Sequence, residues 1–268
     1  MTDQEIVIRR AESPAEYQAC QEAQRLAWGI VDDSYVVPIA TMVGAQLHGG
    51  LVLGAFLADG RAVGLSFAFL GKSDGEICLY SQLTGVVPGY QDQGLGHRLK
   101  VAQREFARSE NIPSVAWAFD PLQAGNARFN LNKLGATARR YHVDMYGPRT
   151  DALNRDTPTD RLIARWETAD VSRPFLALSQ EVIHEAPRIV DPTIPVYIGL
   201  PRVRPRLLLF EIPSDIKSLR ESDSKRAESW LLAIRRGFLE TFDAGYHAVG
   251  VHREESSGQR RDFYILTL

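Results

Sequence analysis

The spacing of hydrophobic residues over the first 147 positions alternates between helical and strand-like periods. The first predicted helix begins at Ser13-Pro14, with Glu16 completing a capping box, and ends at Gly29. Further helices are predicted over residues 38–47, 97–109 and 124–134. Strands are predicted over residues 6–8, 51–57, 63–70, 76–87, 115–119 and 137–146. This order of strand, two helices, three strands, helix, strand, helix and strand is an α+β arrangement.

The rest of the chain predicts a second α+β region after a linker over residues 147–159 that is rich in turn formers and charge. Strands are expected over residues 160–167, returning to the first domain, and over 206–212, 249–253 and 262–268. Helices are expected over residues 172–185 and in a long segment capped by Ser222 or Ser224 and ended by Gly245. Between them, the prolines of residues 187–205 predict an extended or irregular segment. We therefore divide the chain into domains 1–147 and 148–268, the second being a degenerate half-copy of the first or an unrelated α+β cap.

Composition excludes several classes of protein. The chain has 268 residues, 44% of them hydrophobic, and a net charge of −2, which gives no basis for a nucleic-acid or membrane partner. No apolar run reaches the roughly 18 residues of a membrane span, and the polar N-terminus is unlike a signal peptide. Cys20 and Cys78 are expected to be buried thiols in a reducing cytoplasm. The histidines lack metal-ligand spacing, so we expect no metal, and no serine-hydrolase elbow is present.

A short glycine-containing loop at residues 91–96 carries the strongest chemical indication. It follows the strand at 76–87 and opens an amphipathic helix, so free backbone N–H groups and the positive end of the helix dipole would face an anion there. Gly94 and Gly96 lack Cβ atoms, which lets a diphosphate approach the backbone closely.

Other interpretations of this loop remain open. A dinucleotide fingerprint needs a third small residue, and Leu99 stands in that place. A P-loop needs Gly-Lys-Ser/Thr at its end, whereas this chain has Gly96-His97-Arg98. The plain alternative is an ordinary strand-to-helix turn that contains two glycines.

Motifs around the loop resemble a known family. The loop is preceded by VVPGY at 86–90, and it is followed by WAFDPL at 117–122, NARFN at 126–130 and KLGA at 133–136. Over residues 5–147 this pattern resembles the GNAT superfamily of acyl-CoA N-acyltransferases, and most closely a subgroup with WxFDPL and FNxxKLGA motifs. The chain departs from the family pattern where Asn126 and Ala127 are adjacent, where Ala136 replaces an aromatic residue, and where Leu131 occupies the usual tyrosine position.

The resemblance implies a GNAT-type fold, with a mixed, mostly antiparallel central sheet flanked by helices, here followed by the C-terminal α+β extension. It also implies acetyl-CoA or another acyl-CoA as co-substrate. The strand segment Thr84, Gly85 and Val86 would pair with the pantetheine arm, and Gly85 is the expected bulge that splays the sheet. An N–H at that place would receive the oxyanion. The remaining cofactor-binding residues would be Gln91, Asp92, Gln93, Gly94, Leu95, Gly96 and Asn126, with Gln91 bracing the loop.

For catalysis the resemblance implies direct attack of an amine on the thioester, with a general base and an acid. Asp120 and Glu76 are the candidate bases, although Asp120 also fits a helix N-cap and Glu76 a solvated strand end. Tyr141 is the candidate acid in place of the missing tyrosine, although it also fits a packed strand residue. The candidate substrate contacts are Asn130, Lys133 and Arg139.

The leading hypothesis is therefore an acyltransferase that moves an acetyl or another short acyl group, with succinyl among the candidates, to a small-molecule amine such as an amino acid. The alternative is a sensor or scaffold that binds acyl-CoA without turnover, which the leucine at position 131 motivates. A nucleotide or dinucleotide binder is the third hypothesis. We expect a homodimer, with no nucleic-acid or membrane partner.

Overall fold

The computed structural model describes residues 5–91, 93–147, 158–169, 179–256 and 258–268, which form two compact units. The described part of the first unit is 5–91, 93–117 and 167–169, and that of the second is 118–147, 158–166, 179–256 and 258–268. This division differs from the predicted one at residue 147, because the segment after Trp117 pairs with the C-terminal strands. Asn132, for example, accepts from Val251 N and donates to Val251 O.

The first unit holds a five-stranded sheet with helices on both faces. Its elements are β1 (Val7–Arg10), α1 (Pro14–Trp28), α2 (Ile39–Leu47), β2 (Leu51–Phe56), β3 (Ala62–Ser73), β4 (Glu76–Val86), α3 (Leu95–Ser109) and β5, which begins at Ser114 and ends at Phe119. The strand order is β1-β2-β3-β4-β5, antiparallel up to β4 and parallel between β4 and β5. The predicted order of elements and the mostly antiparallel sheet are confirmed.

Local chemistry explains the boundaries of α1. Ser13 Oγ accepts from Glu16 N at 3.3 Å, and Glu16 Oε2 accepts from Ser13 N at 3.2 Å, so the predicted capping box is present. Gly29 ends the helix in the left-handed conformation at φ 59°. Cys20 and Cys78 are buried thiols, as predicted, and burial raises the pKa of Cys20 to about 12.

The two faces of the first sheet pack against different helices. Leu65 and Phe67 belong to an apolar cluster with Tyr17 and Cys20 of α1. Gly64, on the other face of β3, lies against Leu99 of α3. No single helix in the described residues is long and apolar enough to cross a membrane. Helix α1 and the segment Asp33–Leu47, which are bent by 112° at the break between them, together have the length and composition of a span.

The second unit holds an antiparallel sheet in the order β7-β6-β11-β12-β10. Its elements are α4 (Ala124–Arg128), a π-helical turn (Phe129–Lys133), β6 (Thr137–His142), β7 (Arg161–Glu167), α5 (Gln180–Glu185), β8 (Val190–Asp191), β9 (Val196–Tyr197), β10 (Leu207–Ile212), α6 (Ile216–Ser222), α7 (Ser224–Asp243), β11 (His247–Ser256) and β12 (Gln259–Thr267). The predicted linker lies mostly outside the described residues, as does the start of the helix predicted at 172.

Two helix caps suggested by the sequence were wrong, although α4 begins at Ala124 as predicted. The long C-terminal helix is preceded by a separate short one, and Asp223, not Ser222 or Ser224, caps α7 by accepting from Arg226 N at 3.0 Å. Asp120 does not cap α4, whose N-cap position is Gln123. Its Oδ1 instead accepts from Leu122 N at 2.8 Å, which is an Asx turn.

Aromatic packing holds α7 against the second sheet. The Phe238 ring lies 4.9 Å from Phe210, 5.0 Å from Tyr264 in an edge-on contact, and 5.7 Å from Tyr141 in a stacked one. Gly237 gives the Phe210 ring its space, because a Cβ there would lie 2.2 Å from the ring. The core of this unit is therefore built around the middle of α7.

Candidate functional site

The glycine loop leads into the first turn of α3 in the first unit. Gly94 is the N-cap, with φ 72°, and a Cβ built on it meets no atom within 4 Å. A Cβ on Gly96 would meet only Val86 Cγ2, at 3.9 Å. The backbone of this turn therefore has open space beside it, as an anion cradle requires. Asp92 lies outside the described residues, and Gln93 is exposed.

The loop is tied to the end of β4. Gln91 Nε2 donates to Val86 O at 3.1 Å, which is the bracing contact expected of this side chain. Tyr90 N donates to Val87 O at 3.0 Å, and Val87 N donates to Val63 O of β3 at 2.9 Å. These bonds hold the loop up to Gln91 against the end of β4.

Strands β4 and β5 part after a short parallel contact, which we call the fork. Within the first unit, the pairs between them are Leu79 with Val115 and Tyr80 with Ala116. Beyond Tyr80, β4 continues to Val86 while remaining paired with β3 on its other side. The β4 edge that includes Thr84, Gly85 and Val86 therefore has its β5-facing side open to another hydrogen-bonding chain.

The position of the expected bulge was predicted wrongly. Gly85 pairs in regular register with Leu65, and the extra residue of β4 is Gln82, between the pairs Phe67–Leu83 and Ala68–Ser81. Gly85 serves packing instead, because a Cβ on it would lie 2.4 Å from atoms of the Trp28 ring. A bulge depends on the partner strand's register, which single-strand composition does not reveal.

Lys100 is a polar residue at the fork that sequence reasoning missed. Its side chain is buried, its Nζ donates to Ser81 Oγ at 2.8 Å, and it lies 3.9 Å from the centroid of the Trp117 ring. Burial lowers the pKa of Lys100 to about 7. The helical spacing of the sequence could have indicated this burial, because Lys100 and Gln103 lie on the face of α3 that also buries Leu95.

Glu76 is distant from the fork along the same strand. It begins β4 and pairs with Ser73 beside the β3–β4 turn. It lies five positions before Ser81, which corresponds to roughly 17 Å of extended strand. The structure therefore does not bring this candidate base to the fork.

In the second unit, Asp120 directly follows β5, and both oxygens of its carboxylate already have partners. Besides the turn contact to Leu122 N, its Oδ2 lies 3.5 Å from Arg220 Nη2. Its side chain is 15% exposed, which leaves little of the carboxylate open to a substrate. Its role as a base stays a prediction.

Candidate ligand contacts on α4 and the following turn divide by burial. Asn126 is exposed and its Oδ1 accepts from Asn130 Nδ2 at 3.1 Å, while Asn130 itself is buried. Lys133 and Arg139 are exposed. Leu131, at the tyrosine position of the family that the motifs resemble, is buried in this unit. The structure thus joins Asn126 to Asn130 and leaves the two cations at the surface.

Tyr141 belongs to a buried polar cluster. Its hydroxyl donates to Asp160 Oδ2 at 2.7 Å, and Arg235 binds both oxygens of the same carboxylate at 2.8 and 3.0 Å. Burial, followed by the charge of Asp160, raises the pKa of Tyr141 far above its usual value. The hydroxyl therefore holds its proton in a structural hydrogen bond, which makes it a poor proton donor.

Among the described residues, no group of three or more His, Cys, Asp or Glu side chains is placed to hold a metal ion. Three features of the first unit are therefore available for binding or chemistry. They are the open edge of β4, the helix start at Gly94 and Gly96, and the buried amine of Lys100. An extended chain with amide groups could pair with such an edge, and a phosphate or diphosphate could bind at such a helix start.

No family model and no curated protein matches this chain. Comparison with solved structures finds a GNAT-family protein from Desulfovibrio desulfuricans, with 19% identity, a TM-score of 0.48, and coverage of 62% of this chain and 100% of that one. It also finds yncA of Salmonella typhimurium with its cofactor acetyl-CoA, with 21% identity, a TM-score of 0.48, and coverage of 63% and 98%. A third is the ribosomal-protein-S18-alanine N-acetyltransferase of Escherichia coli, with 18% identity, a TM-score of 0.46, and coverage of 63% and 98%.

Proposed function

We propose that this chain is a GNAT-type N-acyltransferase that binds acetyl-CoA or another acyl-CoA and transfers the acyl group to the amine of a small molecule. The observation that carries the proposal is the open edge of β4, which runs directly into the braced loop at the start of α3. The edge would pair with the amides of the pantetheine arm, and the first turn of α3 would hold the diphosphate.

The bound thioester would supply an acyl group activated for attack by an amine. The chain's contribution is to hold that group beside the fork, where backbone N–H groups on the β5-facing side of β4 are available for a developing oxyanion.

A matched pair of variants at Gly96 tests the cofactor site. Gly96→Asp places a negative charge in the cradle, while an acidic residue in the first turn of a helix favours folding. We expect its Kd for CoA, measured by calorimetry, to rise at least about tenfold, with a melting temperature equal to or above that of the wild type.

Gly96→Ala is the control, because its Cβ meets only Val86 at 3.9 Å and adds no charge. It should bind CoA more tightly than Gly96→Asp. If the wild type and Gly96→Asp bound CoA with equal affinity, the first turn of α3 would not be the binding site of the diphosphate. Stabilisation of the wild type by NAD or ATP, but not by CoA, would favour a nucleotide binder instead.

The second candidate function is an acyl-CoA sensor without turnover, which the buried Leu131 in the place of the family's tyrosine favours. The two functions differ in one measurement, the release of free CoA thiol from acetyl-CoA and succinyl-CoA across a panel of small amines. Release that depends on the amine supports the transferase. Tight CoA binding without release, for any amine, supports the sensor.

A further inference from the structure

A buried amine lies at the apex of the fork. Ser81 is the first residue of β4 after the paired Tyr80, and Trp117 is the first residue of β5 after the paired Ala116. Lys100 Nζ contacts both residues, at 2.8 Å from Ser81 Oγ and 3.9 Å from the Trp117 ring centroid. The amine therefore marks the place where the two strands separate.

The surroundings of this amine disfavour a purely structural role. Lys100 is 5% exposed, and the side chains it contacts are buried as well. Burial lowers the pKa of Lys100, and within the described part of the chain no carboxylate forms an ion pair with it, so the ammonium form is costly there. An apolar side chain of the same length would fill this space at lower cost, which makes the amine itself the feature to explain.

A chain of hydroxyl groups leads from the amine to the open strand edge. Ser81 Oγ lies 3.4 Å from Thr84 Oγ1, which lies 2.7 Å from Ser66 Oγ on β3. The bulge at Gln82 creates this chain, because the extra residue puts Ser81 and Thr84 on the same face of β4. Thr84 is half-buried and belongs to the strand segment proposed to bind the cofactor, whereas Ser66 is buried, so Thr84 is the member of the chain that meets this surface.

We propose that Lys100 is the proton reservoir of the acyl transfer, exchanging the proton with the reacting groups through the hydroxyls of Ser81 and Thr84. This inference rests on the proposed function. Because Lys100 acts through other side chains, it is a positioning residue and does not itself touch the substrate.

The step balances without any added reagent. The amine nitrogen forms a bond to the acyl carbon and loses one proton, which passes along the hydroxyls to the neutral amine of Lys100. The bond between the acyl carbon and sulfur breaks, and the departing thiolate takes that proton back. The enzyme returns to its starting state, and one residue serves as both the base and the acid.

Lys100→Met tests the reservoir, since methionine fills similar space without an amine. With an amine that the wild type accepts, we expect kcat for CoA release to fall about 100-fold and KM for acetyl-CoA to stay within about twofold. We expect the melting temperature to be no lower than that of the wild type. The kcat of the wild type should rise with pH around neutrality as the amine loses its proton. The kcat of Lys100→Met should show no such rise.

Thr84→Val and Thr84→Ser form the matched pair for the relay. Valine keeps the shape and removes the hydroxyl, whereas serine keeps the hydroxyl, so kcat should fall in the first and largely persist in the second. Equal kcat in these two variants, or a kcat of Lys100→Met within about threefold of the wild type, would overturn the relay alone. Absence of any amine-dependent CoA release by the wild type would overturn the proposed function and the relay together.

Discussion

Trp28 occupies the space in which a side chain at position 85 would stand: a Cβ built on Gly85 lies 2.4 Å from two atoms of the Trp28 ring. The last residue of α1 is thereby packed directly onto the backbone of β4, at the strand edge proposed to bind the cofactor. Gly85 therefore fixes the distance between α1 and this strand.

Gly85→Ala should lower the free energy of unfolding by about 1–3 kcal/mol, because the ring or the strand must shift. Urea denaturation measures this change. The control is Gly71→Ala on β3, where the new Cβ meets Tyr80 Cβ at 3.5 Å, an ordinary contact. If the double change of Gly85→Ala with Trp28→Leu were no more stable than Gly85→Ala alone, the clash would not be the cause.

The stability of the protein should depend on pH through Lys100. Its pKa falls from 10.5 in the unfolded chain to about 7 in the folded one, so between these values the unfolded state binds more protons. The free energy of unfolding should therefore rise with pH from about 7 to 10.5, by roughly 1.4 kcal/mol per unit at most.

Urea denaturation of the wild type and Lys100→Met at several pH values isolates this contribution, since other groups titrate in both proteins. The difference between the two proteins should shrink as the pH rises, with Lys100→Met more stable at neutral pH. If the free energies of unfolding of the two proteins changed in parallel with pH, the amine of Lys100 would not be desolvated in the folded state.

Removal of the Asp160 carboxylate should be strongly destabilising. Asp160 is 1% exposed and accepts from Tyr141, Arg235 and Asp144 N. Asp160→Ala leaves the Arg235 guanidinium without its partner and should cost about 3–5 kcal/mol. Tyr141→Phe removes one of these bonds and should cost about 1 kcal/mol. Comparable losses in the two variants would contradict this ranking.

Asp120→Asn should leave acyl transfer largely intact. The amide oxygen can still accept from Leu122 N, so the turn persists, and only the charge opposite Arg220 is lost. We expect kcat within about threefold of the wild type, because the proton is assigned to Lys100. A loss of about 100-fold in a folded Asp120→Asn variant would instead identify Asp120 as the base.

The spacing of hydrophobic residues and the positions of glycine and proline predicted most helices and strands, because both are local features of the sequence. The capping box at Ser13, the glycine after α1 and the apolar strands of the first sheet depend on neighbours a few residues away. The same reasoning failed for Asp120, which fits a helix cap by composition, because its side chain forms an Asx turn with Leu122 N and the N-cap of α4 is Gln123.

The sequence by itself determined the order of elements, the α+β class and the glycine loop that begins α3, since each follows from side chains and breakers within one turn or strand. Only the tertiary structure decided where β4 bulges, where β4 and β5 part, and which polar side chain lies at that fork. Ser81 and Trp117 are 36 positions apart in the chain. Their meeting at Lys100 depends on strand register and on the face that α3 buries, which are properties of packing between distant segments.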